Sequence, residues 1–324
     1  MENQALGLAE AVARLIPAII DIRRVRWRPA FDWLPVGLKK ASWMLASESP
    51  VPADGEIWPD LWIATGRATL PLSLAARRQG GGRTFVVQTQ DPRLEPSLFD
   101  LVVAPAHDGL TGDNVVSITG SPHRVTPQAL AEAAPAFAGR LDALPRPRVG
   151  VLIGGKSKAF DLTPDHAAEL AGRIADAVRA SGGSLMLTFS RRTPAAAAAV
   201  MTERLEGLAG WIWDGEGPNP LFAFLHVADH ILVTEDSANM AAEAASTGKP
   251  VHILPMVALK PPGKFARLHA DLEAKGAARP FDGALETWSY APLAETDRAA
   301  RAILKAMGRE ASVAATPAAI STPV

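Results

Sequence analysis

The 324-residue chain contains no cysteine, which removes disulfides, thiolate nucleophiles and zinc–cysteine sites and fits a reducing compartment. It also lacks a dominant charge. Charged residues make up 21% and the formal net charge is −1, so no overall basic field exists to hold nucleic acid. No apolar run reaches the length of a membrane span, and the opening Met1-Glu-Asn-Gln-Ala-Leu lacks the basic and apolar regions of a secretory signal. A Gly-x-Ser-x-Gly elbow, a paired-histidine helix and a dinucleotide Gly-x-Gly-x-x-Gly turn have no convincing place in the sequence, and no acid pair has metal-site spacing. Hydrolase and dehydrogenase readings fall accordingly, and the expectation is a cytoplasmic protein with no cofactor and no metal.

What the chain has is strand–helix alternation, which argues for α/β architecture with parallel sheets. Two domains are the expectation at this length, with one large domain as the alternative. The first half reads as a helix from Gln4 to Leu15, a strand over Ile19 to Val25, and a Trp- and Pro-rich stretch from Trp27 to Pro59 with one short helix near Leu38 to Leu45. Strands follow at Asp60–Thr65, Arg83–Thr89, Asp100–Val103 and Asn114–Ile118, with a helix over Leu70 to Gln79 and another from Thr126 to Leu141. Pro145-Arg-Pro147 suppresses regular pairing and marks the expected boundary. The pattern then restarts with strand Arg148–Ile153, helix Thr163–Ala180, strand Ser184–Phe189, helix Ala195–Leu208, and Leu221–Val227 leading to strand Ile231–Val233. The domains expected are 1–144, 145–290, a C-terminal helix in 291–310 and a disordered tail over 311–324. Two doubly wound units joined by a proline-bearing hinge imply a cleft between them, where small molecules commonly bind.

The most informative segment is Val233-Thr-Glu-Asp-Ser-Ala-Asn-Met-Ala-Ala-Glu243, a strand, a polar turn and a helix start, closed by Gly248 before the next strand. Free N–H groups at such a helix start favour negative charge. Asp236 or Ser237 is the expected N-cap. Glu235 and Asp236 would repel a diphosphate unless they point elsewhere, and Glu243 can accept two hydrogen bonds from a ribose or sugar diol, an exposed helix-surface Glu being the plain alternative. Gly154, Gly155 and Lys156 form a glycine turn after the preceding strand that lacks the full phosphate-loop spacing, so an anion cradle and a plain tight turn are about equally expected. Ser190, Arg191 and Thr193 end another strand, with one of Arg191 and Arg192 expected to face the cleft and the other water.

In the first half, His107 and Asp108 end a strand and could supply a general base, although adjacent side chains usually diverge and a turn-forming Asp before Gly109 is the plainer reading. Gly66 with Arg67 and Gln90 with Asp91 are further strand-end turns suited to a polar acceptor. Trp27, Trp33 and Trp43, near Arg23 to Arg28 and Lys39-Lys40, are expected as core tryptophans and ordinary surface cations. An interfacial patch for peripheral attachment to the inner membrane face is the alternative.

Glu2-Asn-Gln-Ala-Leu-Gly-Leu-Ala9, Ala64-Thr-Gly-Arg67, Val87-Gln-Thr-Gln-Asp-Pro92, Pro105-Ala-His-Asp108, Gly154-Gly155, Thr188-Phe-Ser-Arg-Arg-Thr193 and Thr234-Glu-Asp-Ser237 through Gly248-Lys-Pro250 together resemble the mitochondrial-fission (elongated mitochondria) family. Bacterial members of that family are described as nucleoside-diphosphate-sugar enzymes. The resemblance implies a GT-B-like fold, two Rossmann-like domains facing a cleft, with the donor nucleotide held mainly by the C-terminal domain. In the family a strand and glycine loop precede the Asn-Gln segment, so the expectation is either a true start upstream of Met1 or a first sheet that lacks that strand. The activity implied is metal-independent glycosyl transfer from a nucleoside-diphosphate sugar. Gly154, Gly155, Lys156, Ser190, Arg191, Glu235, Asp236, Ser237, Asn239 and Glu243 are then donor-side, Gly66, Arg67, Gln90 and Asp91 acceptor-side, and His107 or Asp108 catalytic. The plant relatives' link to the dynamin-type fission machinery implies a different role, a non-catalytic module that recruits a protein partner. The Ala- and Arg-rich composition reads as bacterial, and a bacterium has no mitochondria to divide, which places the enzyme first.

Overall fold

A computed structural model describes residues 2–39, 42–52, 57–261, 263–309 and 319–321. In chain order the strands are β1 (Ile19–Asp21), β2 (Leu61–Thr65), β3 (Phe85–Thr89), β4 (Leu101–Pro105), β5 (Val115–Ile118), β6 (Arg148–Ile153) and β7 (Phe160–Asp161). They continue with β8 (Ser184–Phe189), β9 (Gly210–Ile212), β10 (His230–Thr234), β11 (Val251–Leu254), β12 (Val257–Ala258), β13 (Ala278–Pro280) and β14 (Ala319–Ser321). The helices are α1 (Glu2–Ala13), α2 (Pro29–Asp32), α3 (Leu70–Gln79), α4 (Pro127–Ala133), α5 (Ala138–Leu141) and α6 (Pro164–Ser181). After them come α7 (Ala195–Leu205), α8 (Leu221–Val227), α9 (Ala238–Ala245), α10 (Lys264–Ala274) and α11 (Glu295–Ala306).

The chain divides into two compact units. The first comprises Met1–Arg124 and Ala294–Val324, the second Val125–Leu293. The sequence places the boundary later, at 144/145, and treats the last helix as a separate piece. The difference has a packing cause. Leu130 of α4 and Leu141 of α5 sit in one apolar cluster with Trp211, Phe224 and Leu225 of the second unit, and the Phe137 ring lies 5.7 Å from Trp211. The last helix, α11, carries Thr296, Ala299, Ala300, Ile303 and Leu304 as its buried face, a helical stripe that packs with Leu8, Ala11 and Val12 of α1.

In the first unit β2, β3, β4 and β5 form a parallel sheet in sequence order. One face is covered by α1 and α11 around Val87, Val103 and Ile118, and the other meets Leu70 and Ala76 of α3 around Val86 and Val102. Gly7, inside α1, needs to be glycine, because a Cβ there would lie 2.4 Å from the carbonyl of His123. Strand β1 pairs in parallel with β14, three residues within the tail expected to be disordered; the rest of 310–324 lies outside the described residues. Of the single helix expected near Leu38–Leu45, residues 40–41 lie outside the described residues, and the chain on either side forms 3₁₀ turns at Val36–Leu38 and Ser42–Met44.

The second unit holds a six-stranded parallel sheet in the order β13-β11-β10-β6-β8-β9. From β6 the chain steps outward through β8 and β9, then returns to the other side of β6 for β10, β11 and β13, which is the doubly wound arrangement. All residues of β6 and β10 are buried, the continuous apolar run that a two-sided sheet requires. Thr163 caps α6 by accepting from the N–H of His166 at 3.2 Å, Pro164 occupies the first helical position, and Gly182 closes the helix in the left-handed region at φ 66°. The periodicity read from sequence does not single out α10, β9 or β13. The two strands have three residues each, too short for a pattern of period two to register.

Candidate functional site

Because the winding reverses between β6 and β10, the loops after those two strands lie side by side at the carboxyl edge of the sheet. The loop after β8, the other neighbour of β6, joins them. Three sequence-distant turns therefore meet: Gly154-Gly155, Ser190–Thr193 and Thr234–Ser237.

Asp236 binds them together. Its side chain is fully buried; Oδ2 accepts from the Gly155 N–H at 3.1 Å and from Arg192 Nη2 at 2.8 Å, and Oδ1 accepts from the Thr234 hydroxyl at 2.8 Å. The Thr234 hydroxyl in turn accepts from the Gly154 N–H at 2.7 Å. Thr193 ties the middle loop on, donating from its hydroxyl to the Gly154 carbonyl at 2.5 Å and accepting from the Ser190 N–H at 3.0 Å. Both glycines are sterically required: a Cβ on Gly154 would fall 1.9 Å from Asp236 Oδ1, and one on Gly155 would fall 2.0 Å from the Arg192 carbonyl oxygen.

These contacts revise several sequence expectations. Ser237, not Asp236, is the N-cap of α9, its hydroxyl accepting from the Met240 N–H at 3.4 Å. Asp236 is an internal tie whose oxygens are occupied by protein donors. Glu235 is turned away as well: its Oε1 accepts from the Met256 N–H at 2.6 Å, and its carbonyl meets His269 Nε2 at 2.9 Å. Both carboxylates thus have protein donors as partners. Of the two arginines, Arg192 belongs to the tie and Arg191 is exposed. Lys156 is exposed and pairs with Asp161 at 3.2 Å. Ser190 is half-buried and its hydroxyl accepts from the Arg192 N–H at 3.2 Å.

Asn239 is exposed in the first turn of α9, and Glu243 lies one turn further along the same face. Glu243 is half-buried rather than the exposed surface acid of the plainer reading, and burial pushes its carboxyl up to about 7.

In the first unit the parallel register places the ends of β2, β3 and β4 at one edge, bringing Gly66-Arg67, Gln90-Asp91 and His107-Asp108 to the same side. Gln4 of α1 joins two of these turns, accepting from Gln90 Nε2 at 2.7 Å and lying 3.5 Å from the Thr65 hydroxyl. Gln90 takes a left-handed φ of 67°. Asp91 accepts from the Arg93 N–H at 2.8 Å and pairs with its guanidinium at 3.0 Å. Beside it opens a depression of about 450 Å³ bordered by Glu95, Gly109 and Thr111. His107 is buried, with Nε2 3.9 Å from Asp108 Oδ1, so the two side chains converge more than neighbours in an extended chain would. Arg67 is exposed.

The sequence does not single out Thr234 or Gln4, and it names Arg192 only as one of two neighbouring arginines. Arg192 stands next to an identical residue, Thr234 reads as the end of an apolar strand, and Gln4 sits inside a helix pattern. Among the described residues no three histidine or acidic side chains gather as metal ligands, and no helix is long and apolar enough to cross a membrane.

A model of the family described as Mitochondrial fission ELM1 matches residues 1–307. The Arabidopsis thaliana protein named mitochondrial fission protein ELM1 is 34% identical over 272 residues, covering 76% of this chain and 63% of that protein, so the chain spans under two thirds of that relative's length. An uncharacterized protein of Rickettsia prowazekii is 25% identical over 288 residues, covering 76% of this chain and 79% of that one. Among solved structures, the UDP-GlcNAc 2-epimerase of Methanocaldococcus jannaschii matches with a TM-score of 0.50 at 13% identity, covering 76% of this chain and 77% of that chain. At that identity the likeness concerns the fold, which is GT-B-like. The chain belongs to the mitochondrial fission ELM1 family.

Proposed function

We propose, taking membership of the mitochondrial fission ELM1 family as the premise, that the second unit binds a nucleoside-diphosphate sugar at the β6/β10 crossing point and that the protein is a glycosyltransferase. The observation that carries this reading is the convergence of three loops on the buried Asp236. That tie holds the N-terminus of α9 and the Gly154-Gly155 backbone in a fixed relation. A diphosphate at this edge would meet the free N–H groups of the first turn of α9, with the helix dipole favouring its charge. Arg191 and Ser190 are the proposed side-chain partners of the phosphates, with Lys156 at the rim. Asn239 and Glu243 follow along the helix, and Glu243 is the proposed acceptor for a vicinal diol of the ribose.

Transfer breaks the bond between the anomeric carbon and the diphosphate oxygen and forms one to an acceptor hydroxyl oxygen. The diphosphate leaves with the bonding electron pair, and the hydroxyl proton passes to a base. Our candidates for that base are His107 and Asp108. Fixed donors at the departing diphosphate would supply the electrostatic stabilisation that such a transition state requires. Gly66, Arg67, Gln90 and Asp91 are the proposed acceptor-side turns. The UDP-GlcNAc named for the M. jannaschii enzyme makes uridine diphosphate sugars the first donors to try.

The test is calorimetric titration with a panel of nucleoside-diphosphate sugars, followed by detection of released nucleoside diphosphate. Saturable binding, lost in the Arg191→Ala, Ser237→Ala double variant, is the expected result; no binding of any donor removes the proposal. The name of the Arabidopsis relative favours a second reading, a module that recruits a protein to a fission apparatus. Capture of one stoichiometric protein partner, together with site-loop variants that leave the cellular phenotype unchanged, would put that reading first.

A further inference from the structure

Between β1 and β2 the first unit carries a small lobe whose described residues have a core only at its base. Its base is closed: Trp27 bridges Leu45 in antiparallel fashion, the Arg28 N–H donates to the Met44 carbonyl at 3.0 Å, and the Ala46 N–H donates to the Arg26 carbonyl at 2.8 Å. Trp27 is a core residue, packed with Leu45 and Leu72, and its Nε1 donates to the Ala68 carbonyl at 2.8 Å. Outward from this anchor the packing thins to Lys39, buried with its Nζ 5.2 Å from the Trp27 ring, and the partly buried Val36. Neither α2 nor the turn at Val36–Leu38 buries a single residue. Trp33 is 78% exposed, Trp43 59% and Leu38 58%, and the Phe31 ring meets Trp43 edge-on at 5.1 Å. The expectation of core tryptophans thus holds for Trp27 and fails for Trp33 and Trp43.

Basic residues outnumber acidic ones around these side chains: residues 21–48 hold six basic residues, Arg23, Arg24, Arg26, Arg28, Lys39 and Lys40, and three acidic ones, Asp21, Asp32 and Glu48. Arg23 pairs with Asp21, Arg24 with Glu2 and the buried Lys39 with Asp32, which leaves Arg26 and Arg28, among the described residues, as the cations that face outward. Arg26 and Arg28 are exposed, and Arg28 uses only Nε on the Leu45 carbonyl. Two tryptophans whose indole N–H groups need a polar neighbour, flanked by cations on long apolar stems, match a lipid headgroup boundary better than a dry protein interface.

We propose that this lobe docks the protein on an anionic lipid bilayer, with Trp33, Trp43 and Leu38 entering the headgroup region and Arg26 and Arg28 meeting lipid phosphates. The proposal stands apart from the donor site and does not depend on it. Attraction to an anionic surface is worth about fivefold in partitioning for each basic side chain near it and fades within a Debye length, so binding should be steeply salt-dependent.

The experiment is co-sedimentation of the full chain with vesicles of about one-third phosphatidylglycerol in phosphatidylcholine and with pure phosphatidylcholine, with tryptophan quenching by brominated lipid as a second readout. The expected result is at least roughly tenfold tighter binding to the anionic vesicles, weakened by high salt. The Trp33→Ser, Trp43→Ser variant should lose at least about fivefold in binding and the quenching signal, while its thermal midpoint stays that of the parent, since neither ring is buried. Arg26→Glu, Arg28→Glu should lose the preference for anionic lipid. Equal binding to both vesicle types, binding unchanged in the tryptophan variant, or no vesicle binding alongside self-association through the lobe would each overturn the proposal.

Discussion

Arg192 Nη2 lies 2.8 Å from the Oδ2 of Asp236, joining a half-exposed cation on the loop after β8 to a wholly buried carboxylate on the loop after β10. The pair is more than a surface ion pair, because the same carboxylate oxygen also holds the Gly155 N–H. Removing the cation leaves a buried charge with fewer partners, which generally costs several kcal/mol. Arg192→Ala is therefore expected to destabilise the second unit by roughly 1–3 kcal/mol in urea unfolding, less than a fully buried pair because Arg192 reaches solvent. Arg191→Ala should change stability by under about 0.5 kcal/mol while weakening nucleotide binding. A reversed ranking would contradict Arg192 as the arginine that ties the three loops together.

Substitution at the paired glycines separates close approach from simple flexibility. Gly154→Ala would drive a methyl group into Asp236 and is expected to cost about 1–3 kcal/mol and to abolish donor binding. Gly172 in α6 has open space around its Cβ position, so Gly172→Ala should be neutral or stabilise by up to about 1 kcal/mol. Differential scanning calorimetry on both variants distinguishes the two; equal midpoints would mean that the loop yields without loss.

The carboxyl of Glu243 sits at about 7 instead of its ordinary 4.5 because burial disfavours the charged form. Between those two values the folded protein holds a proton that the unfolded chain releases, so stability falls as pH rises through this window. Glu243→Gln should consequently be the more stable protein at pH 8, by roughly 1–2 kcal/mol after allowance for partial exposure, with the difference gone near pH 4.5. If a ribose diol donates to the carboxylate, donor affinity in the parent should also rise between about pH 6 and pH 8 and do so less in the variant. A pH-independent difference would contradict the assignment.

Two histidines at the opposite end of the same sheet give the reverse slope. Burial and the neighbouring His230 push His252 down to about 4, and burial lowers His230 as well. The rings lie 5.8 Å apart, with Trp288 5.1 Å from His252, and neither His230 Nδ1 nor His252 Nε2 has a hydrogen-bond partner among the described residues. The folded state favours the neutral rings. Stability is then full above the ordinary histidine value of 6.5 and declines as pH falls from there toward 4, by about 1–3 kcal/mol. Thermal midpoints measured across this range should slope less in His252→Leu; an unchanged slope would place the acid sensitivity elsewhere.

Much of the architecture is legible from residue order. Apolar runs such as Arg148–Ile153 and His230–Thr234 announce buried parallel strands, and Thr163-Pro164 and Gly182 bracket a helix. The turn at Thr234–Ser237 is recognisable as a strand-to-helix junction because an apolar run ends there in polar residues that can cap a helix. What escapes is direction and partnership. Nothing in Arg191-Arg192 says which guanidinium turns inward, since that depends on Asp236, which is distant in sequence. Asp236 and Ser237 are equally good caps by composition, and only the demand of the Gly155 N–H for an acceptor decides between them. The placement of α4 and α5 in the second unit follows from Trp211 and Phe224, which lie well beyond any window that reads local pattern. The tryptophans of the lobe show the same limit, as identical residue types a few positions apart differ in whether anything lies opposite to bury them.

The central claim is that a nucleoside diphosphate sits where the loops after β6, β8 and β10 meet. Backbone hydrogen exchange with and without saturating UDP-GlcNAc, or whichever donor binds in the titration, tests it most directly. The account predicts slowed exchange confined to residues 154–157, 190–193 and 235–240, lost in the Asp236→Ala variant. Ligand protection that maps away from these three loops, or protection that survives removal of Asp236, would contradict it.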